Sequence, residues 1–265
     1  MLGEQQKQEF ARDGVTLLPG LLDAAQMKAA RKLYDWSLAN PGPLAVELFG
    51  AGSGFANDLV NPQAPNQYES FLRAGPFAET CGALWDALPC WFMYEQVFKK
   101  DAPEGVARTP WHQDLPYLAI EGDHLAVFWI SFEALPASES LEFVRGSHTG
   151  TLYNGSMFDP EDETKPIYAG DALPRLPRIE ADRAAYDIVS FAVEPGDVVV
   201  FHPAMLHGGA PTPKDKQRHT LSLRFFGEDS RFAERPFGAG LMVPELKGTL
   251  QPGDPFRHEK FLELH

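Results

Sequence analysis

Three short segments gather side chains able to do chemistry. In Thr109–Tyr117 (TPWHQDLPY), His112 and Asp114 lie two residues apart, so on an extended backbone both leave the same face. A neutral imidazole beside a carboxylate is half of a two-His-one-carboxylate set, which suits Fe(II). The pair alone is also what a solvated strand end carries. The second segment, Glu194–Pro211 (EPGDVVVFHPAMLHGGAP), supplies a turn, a strand and two histidines, His202 and His207. Pro203 interrupts the strand between them, so alternation does not decide which faces inward. His202 reads as a packed or capping histidine, whereas His207 opens a Gly-Gly turn that lets a backbone approach a metal closely. In the third segment, Gln217–Gly227 (QRHTLSLRFFG), Arg218, Thr220, Ser222 and Arg224 share one face and His219, Leu221, Leu223 and Phe225 the other. Two guanidiniums and two hydroxyls on one face can hold a carboxylate; a solvated strand face is the plain alternative.

The surrounding pattern shows what must position these groups. Glu4–Arg12 reads as a polar helix ended by Asp13-Gly14, Val15–Leu18 as a short strand, and Asp23 as the cap of a helix carrying Met27, Ala30, Leu33 and Trp36 at helical spacing. Residues 40–66 read as loop, and Glu69–Ala87 as helix interrupted at Gly75-Pro76. Strands are expected at Trp91–Lys99, Leu125–Phe132, Leu141–Val144, Ile188–Val193, Asp197–Phe201 and Thr220–Phe226. Residues 150–182 form a long polar segment of the kind that covers a site or moves, with Met157 and Phe158 as its apolar contacts. Helices first and strands afterwards predict a mainly β fold, an antiparallel barrel or sandwich with an N-terminal helical cover.

Composition narrows the function. The chain has 265 residues, 44% hydrophobic and 23% charged, which excludes wholesale disorder. Lys and Arg total 23 against 37 Asp and Glu, a net charge of −14 that disfavours nucleic acid and anionic membranes as partners. No apolar run approaches the length of a membrane span. The polar, acidic start (MLGEQQKQEFARDG) lacks the pattern of a secretory signal, and Cys81 and Cys90 form neither a disulfide framework nor a zinc knuckle. These features predict a soluble, cytoplasmic protein, with oligomeric state open.

Taken together, TPWHQDLPY, AVFWISFEAL leading into LEFVRGSHTG, PGDVVVFHPAMLHGGAP and RHTLSLRFFGED resemble the phytanoyl-CoA dioxygenase family of the Fe(II)/2-oxoglutarate dioxygenases. The resemblance runs from about Tyr94 to Asp229, and DGVTLLPG also looks like the family's start. It implies a double-stranded β-helix, a cupin-like jelly roll, in one domain: a helical cover over 1–90, a core over 91–230 and a tail over 231–265. It implies that His112, Asp114 and His207 hold Fe(II), and that Arg218 pairs with the distal carboxylate of 2-oxoglutarate. Trp129 would line the cosubstrate pocket. The cosubstrates would be 2-oxoglutarate and dioxygen, the outcome hydroxylation of an unactivated C–H bond with release of succinate and CO2.

The sequence departs from the family at two places. Many members carry Ser two residues after the distal His, where it helps hold the 2-oxoglutarate carboxylate. Here that residue is Gly209, so a second anchor is expected elsewhere, at Thr220 or Ser222. Ser138-Glu139-Ser140 replaces the usual Asn-Gly before the strand leading to Gly146-Ser147-His148. Asp114 is intact, which argues against the related halogenases. Tyr117, Trp111, Phe98 and Arg224 are the candidate substrate contacts, with Phe143 and Arg108 as further options. The rival readings are a nucleic-acid demethylase on the same core, suggested by the spacing of Arg218 and Arg224, a metal-binding jelly roll without turnover, and a zinc hydrolase.

Overall fold

The computed structural model describes residues 2–45, 55–235, 246 and 248–265. Parts of the expected loop at 40–66 and of the tail at 231–265 lie outside the described residues. Helix α1 (Glu4–Asp13) ends at Gly14, which takes the left-handed conformation at φ +78°. Strand β1 spans Val15–Leu18. Helix α2 (Ala24–Ala39) begins at the predicted cap: the Asp23 carboxylate accepts from the Gln26 N–H, and the Gln26 side chain accepts from the Asp23 N–H. The predicted helix after residue 66 is two, α3 (Ala64–Ala74) and α4 (Phe77–Trp85), broken at Gly75-Pro76.

Beyond them the chain is antiparallel sheet. The larger sheet has the order β1, β9 (Val198–Phe201), β6 (Leu125–Ser131), β11 (Arg218–Phe226), β3 (Cys90–Lys100) and β13 (Leu262–Leu264), with β2 (Phe55–Leu59) on the other half of β3. The smaller sheet runs β4 (Thr109–His112), β10 (His207–Gly209), β7 (Leu141–Val144) and β8 (Ile188–Ser190). β5 (Ile120–Glu121) and β12 (Arg231–Phe232) form a separate pair. The helices pack on the outer face of the larger sheet, where Phe77, Phe128, Phe225 and Leu223 share a core with Tyr34, Tyr68 and Leu72. Between the sheets, Val127, Trp129, Phe201 and Phe143 form a second core, with the Phe143 and Phe201 rings 5.1 Å apart. This is the jelly-roll architecture expected. Among the described residues no helix is long and apolar enough to cross a membrane.

Two elements differ from expectation. Strand β2 lies inside the expected loop because its sequence, FANDL, carries two poor strand formers. Asn57 is accommodated by a bond from the Gln96 amide, and Asp58 by the backbone N–H groups of Gly42 and Leu59. The long 150–182 segment is not a loose lid. Asn154 exchanges two hydrogen bonds with the Tyr168 backbone, Arg175 clamps Asp162, and Ile179 is fully buried at the start of a 3-10 turn. Its cohesion comes from side-chain bonds, which leave no hydrophobic period to read.

Glu95 is buried behind β3, its Oε1 accepting from the Asn61 N–H while Oε2 has no partner among the described residues. Burial raises its pKa to about 8. The folded chain therefore binds a proton that the unfolded chain releases near pH 4.5, and between those values this group removes stability as pH rises. Glu95→Gln should flatten the urea-unfolding stability profile from pH 5 to 8 relative to wild type, by up to about 1.4 kcal/mol per pH unit. Parallel profiles for the two proteins would show Glu95 to be ionised throughout.

Candidate metal centre

The centre is made by strand register. β10 pairs β4 so that His207 lies directly opposite His112, and β7 flanks β10 with Phe143 opposite His207. The two imidazole centroids are 4.2 Å apart. Asp114 follows just after β4, where its backbone N–H and that of Leu115 both donate to the Pro203 carbonyl. Asp114 Oδ1 then lies 3.5 Å from His112 Nε2 and 3.8 Å from His207 Nε2. These three groups form the metal-ligating cluster found among the described residues.

The close pairing of β10 and β4 explains the glycines after His207. The expected Gly-Gly turn is a strand instead, and a Cβ on Gly208 would lie 2.9 Å from the Thr109 carbonyl oxygen. His202 is placed apart from the cluster, as a capping residue whose Nδ1 accepts from the Ala204 N–H.

Both ligand imidazoles present Nε2. His112 Nδ1 lies 2.8 Å from the Pro110 carbonyl oxygen and His207 Nδ1 lies 3.0 Å from that of Met205, so each Nδ1 carries the proton and donates. Burial, reinforced by His112, lowers the His207 pKa to about 4, keeping its ring neutral and able to ligate. Burial alone would raise the pKa of Asp114. The Arg224 guanidinium and the two imidazoles outweigh it and hold the carboxyl far below the ordinary range. Arg224 Nη2 donates to Asp114 Oδ2 and to Gln96 Oε1, both at 2.8 Å, which leaves Oδ1 facing the imidazoles. Two neutral nitrogens and one fixed carboxylate oxygen on one side of a shared point fit a divalent transition metal with open positions opposite.

Across the barrel, the inner face of the larger sheet carries the remaining charge. Arg218 and Lys100 are paired residues on β11 and β3. Arg218 donates to the carbonyls of Glu139 and Ala210, and Lys100 Nζ donates to Thr109 Oγ1 at 3.0 Å. Burial lowers the Arg218 pKa to about 10. Burial, then the charge of Arg218, lowers that of Lys100 to about 7.

Comparison with known proteins agrees with this geometry. The sequence model of phytanoyl-CoA dioxygenase (PhyH) matches residues 10–220. The chain belongs to the phytanoyl-CoA dioxygenase family. A probable phytanoyl-CoA dioxygenase of Caenorhabditis elegans is 28% identical over 143 residues, covering 52% of this chain and 43% of that protein. The peroxisomal phytanoyl-CoA dioxygenase of Mus musculus is 29% identical over 133 residues, covering 49% and 36%. The matched region thus spans less than half of those relatives. In fold, the chain is similar to SnoK, a non-heme alpha-ketoglutarate-dependent carbocyclase from nogalamycin biosynthesis, with TM-score 0.71, 19% identity and coverage of 100% and 97%. It is also similar to EctD from S. alaskensis, with TM-score 0.67, 16% identity and coverage of 92% and 85%.

Within this family frame, the other expected site residues fall into two groups. Trp129 and Thr220 lie on the inner face of the larger sheet, Trp129 opposite Ser222 and Thr220 between Ser131 and Phe98. Neither the Thr220 nor the Ser222 hydroxyl bonds a described residue. Tyr117 borders the centre, its ring 6.4 Å from that of His112 and its hydroxyl bonded to Ser156. Phe98 is partly buried, paired with Thr220 and packed against Phe55.

Trp111 is not brought to the centre. Its strand neighbour His112 takes the inner face, and the indole donates to Glu180 between the guanidiniums of Arg108 and Arg183. Arg108 is held by Glu142 and Glu180 instead of facing a ligand. Arg224 is committed to Asp114, although its Nε and Nη1 have no partner among the described residues. Phe143 stacks behind His207 as packing, 6.0 Å away.

Lys100, Gln96 and Asn57 were missed by sequence reasoning. The signal was alternation along β3, which puts Lys100 on the same face as Phe98 and Gln96. Phe158 is 43% exposed and Met157 56%, and the Phe158 ring lies 5.0 Å from that of His112 at the rim.

Arg224→Met would leave Asp114 Oδ2 without its charge partner. Titration calorimetry with Mn(II) should show affinity falling roughly 10–100-fold. Unchanged affinity would mean that the guanidinium does not orient the carboxylate.

Proposed function

We propose that the protein is an Fe(II)/2-oxoglutarate-dependent dioxygenase that hydroxylates an unactivated C–H bond of a small-molecule metabolite, releasing succinate and CO2. The observation that carries this is the joint presentation of His112 Nε2, Asp114 Oδ1 and His207 Nε2, with both Nδ1 atoms tied to backbone carbonyls. Family membership supports it, as do the neighbours in fold described as alpha-ketoglutarate dependent.

His112, Asp114 and His207 would hold the iron. Bound there, iron with 2-oxoglutarate supplies the means to activate dioxygen and oxidise a C–H bond. Everything else falls to the chain. Arg218 would receive the distal carboxylate of 2-oxoglutarate, with Trp129 and Thr220 along its length. The unpartnered Nε and Nη1 of Arg224 are donors available to an oxygen ligand beside Asp114. No side chain is needed as a strong acid or base, so the residues act by position and by excluding water. The substrate would enter past Tyr117 and Phe158, whose rings lie beside His112, with the exposed Met157 next to Phe158 in the chain.

A net charge of −14 disfavours a nucleic-acid substrate. Free, buried Cys81 and Cys90 fit the cytoplasm.

Anaerobically purified protein given Fe(II), ascorbate, dioxygen and 2-oxoglutarate labelled at C1 should release labelled CO2, slowly without substrate and faster with the right member of a metabolite library. His112→Ala and Asp114→Ala should abolish release. Full turnover in either variant, or none in wild type, would contradict the proposal.

A further inference from the structure

Lys100 poses a physical problem on its own. It is 5% exposed, and its one hydrogen bond among the described residues goes to a neutral hydroxyl, Thr109 Oγ1. Its strand partner Arg218 is also buried, and both of that guanidinium's bonds go to backbone carbonyls. The two carboxylates whose charge reaches Arg218 are engaged elsewhere: Glu139 with Lys216 at 2.6 Å and Glu133 with His219 at 2.7 Å. Two cations thus lie side by side under the sheet without a carboxylate between them. Burying like charges together is strongly unfavourable unless an anion completes the site.

Their placement says where such an anion would lie. Arg218 reaches Ala210, three residues beyond His207 on the β10 side, and Lys100 reaches Thr109, three residues before His112 on β4. Gly209 and Thr109 are paired, two residues along β10 and three along β4 from the His207–His112 pair, across a shift in register. Both cations therefore sit at one level, about 10 Å along the strands from the two ligand histidines. A Cβ added to Gly209 would lie 3.3 Å from Thr109 Oγ1, so the space a longer residue 209 would take is already filled by the Thr109–Lys100 contact.

We infer that Lys100, held by Thr109 and paired with Arg218, is the second cationic anchor for the distal carboxylate of the 2-oxo diacid whose other end binds the metal. This rests on the dioxygenase reading. It replaces Thr220 and Ser222 as the expected second anchor, since both are uncharged and farther along β11 from Arg218. It also makes the diacid preference a property of two charges, so a 2-oxo monoacid gains nothing from Lys100.

The test uses the full chain loaded anaerobically with Fe(II), titrated with 2-oxoglutarate or 2-oxopentanoate and followed by the charge-transfer absorbance of the chelated keto acid. Wild type should bind the diacid more tightly. Lys100→Met should weaken 2-oxoglutarate binding about 10- to 100-fold, the range for loss of a charge-assisted hydrogen bond, and leave 2-oxopentanoate binding unchanged. The ligand-free variant should unfold at the same temperature as wild type or higher, because a buried unpaired charge has been removed. Equal weakening of both acids with a lower unfolding temperature would make Lys100 a structural residue and overturn the inference, as would unaltered 2-oxoglutarate binding. Absence of the band with either acid in wild type would instead remove the dioxygenase reading, and this assignment with it.

Discussion

The pairing of β10 with β4 is the constraint on which the rest depends. It sets His207 opposite His112, and the hydrogen bonds from each Nδ1 to a carbonyl two residues earlier turn both Nε2 atoms to the same point. Register errors in a sheet move side chains to the opposite face, so the pairing must be pinned. Gly208 pins it by allowing the Thr109 carbonyl to approach where a side chain would clash. The Pro203 carbonyl pins it from the other side by taking the N–H groups of Asp114 and Leu115. Neither contact involves a ligand atom, yet both fix where those atoms point.

Charge is distributed inside the barrel along one axis. At one end a carboxylate and a guanidinium neutralise each other at Asp114 and Arg224, with Tyr94 beneath the guanidinium at 4.7 Å. At the other, Lys100 and Arg218 add two positive charges without a carboxylate between them. On the proposed reading an anion would be drawn toward the second end electrostatically and held at the first by the metal that His112, Asp114 and His207 would bind. The sheet strands that separate the two ends are rigid, which fixes the length of ligand that satisfies both.

Much of this was legible in the residues. The spacing of His112 and Asp114 placed them on one face, and only the resemblance to the family made them ligands; the alternation of Arg218, Thr220, Ser222 and Arg224 gave the inner face of β11 because that strand is long and regular. The choice of His207 over His202 was not open to alternation, since Pro203 interrupts the strand; it rested on resemblance to the family. The double function of β3 was obscured for a different reason. A strand buried on both faces reads as a mixed run, with Glu95 turned toward the helices and Lys100 toward the barrel. Arg224 looked like a substrate contact because a sequence shows a charge but not its partner across the barrel. The 150–182 segment looked loose because its order comes from side-chain bonds such as Asn154 to Tyr168, which follow no period.

The central claim is that two imidazoles and one carboxylate meet at a single ion, and an anomalous difference map from crystals soaked in Mn(II) tests it most directly. The account predicts one strong peak about 2.0–2.2 Å from His112 Nε2, Asp114 Oδ1 and His207 Nε2. A map with its peak elsewhere, or with either imidazole turned away from the metal, would contradict it.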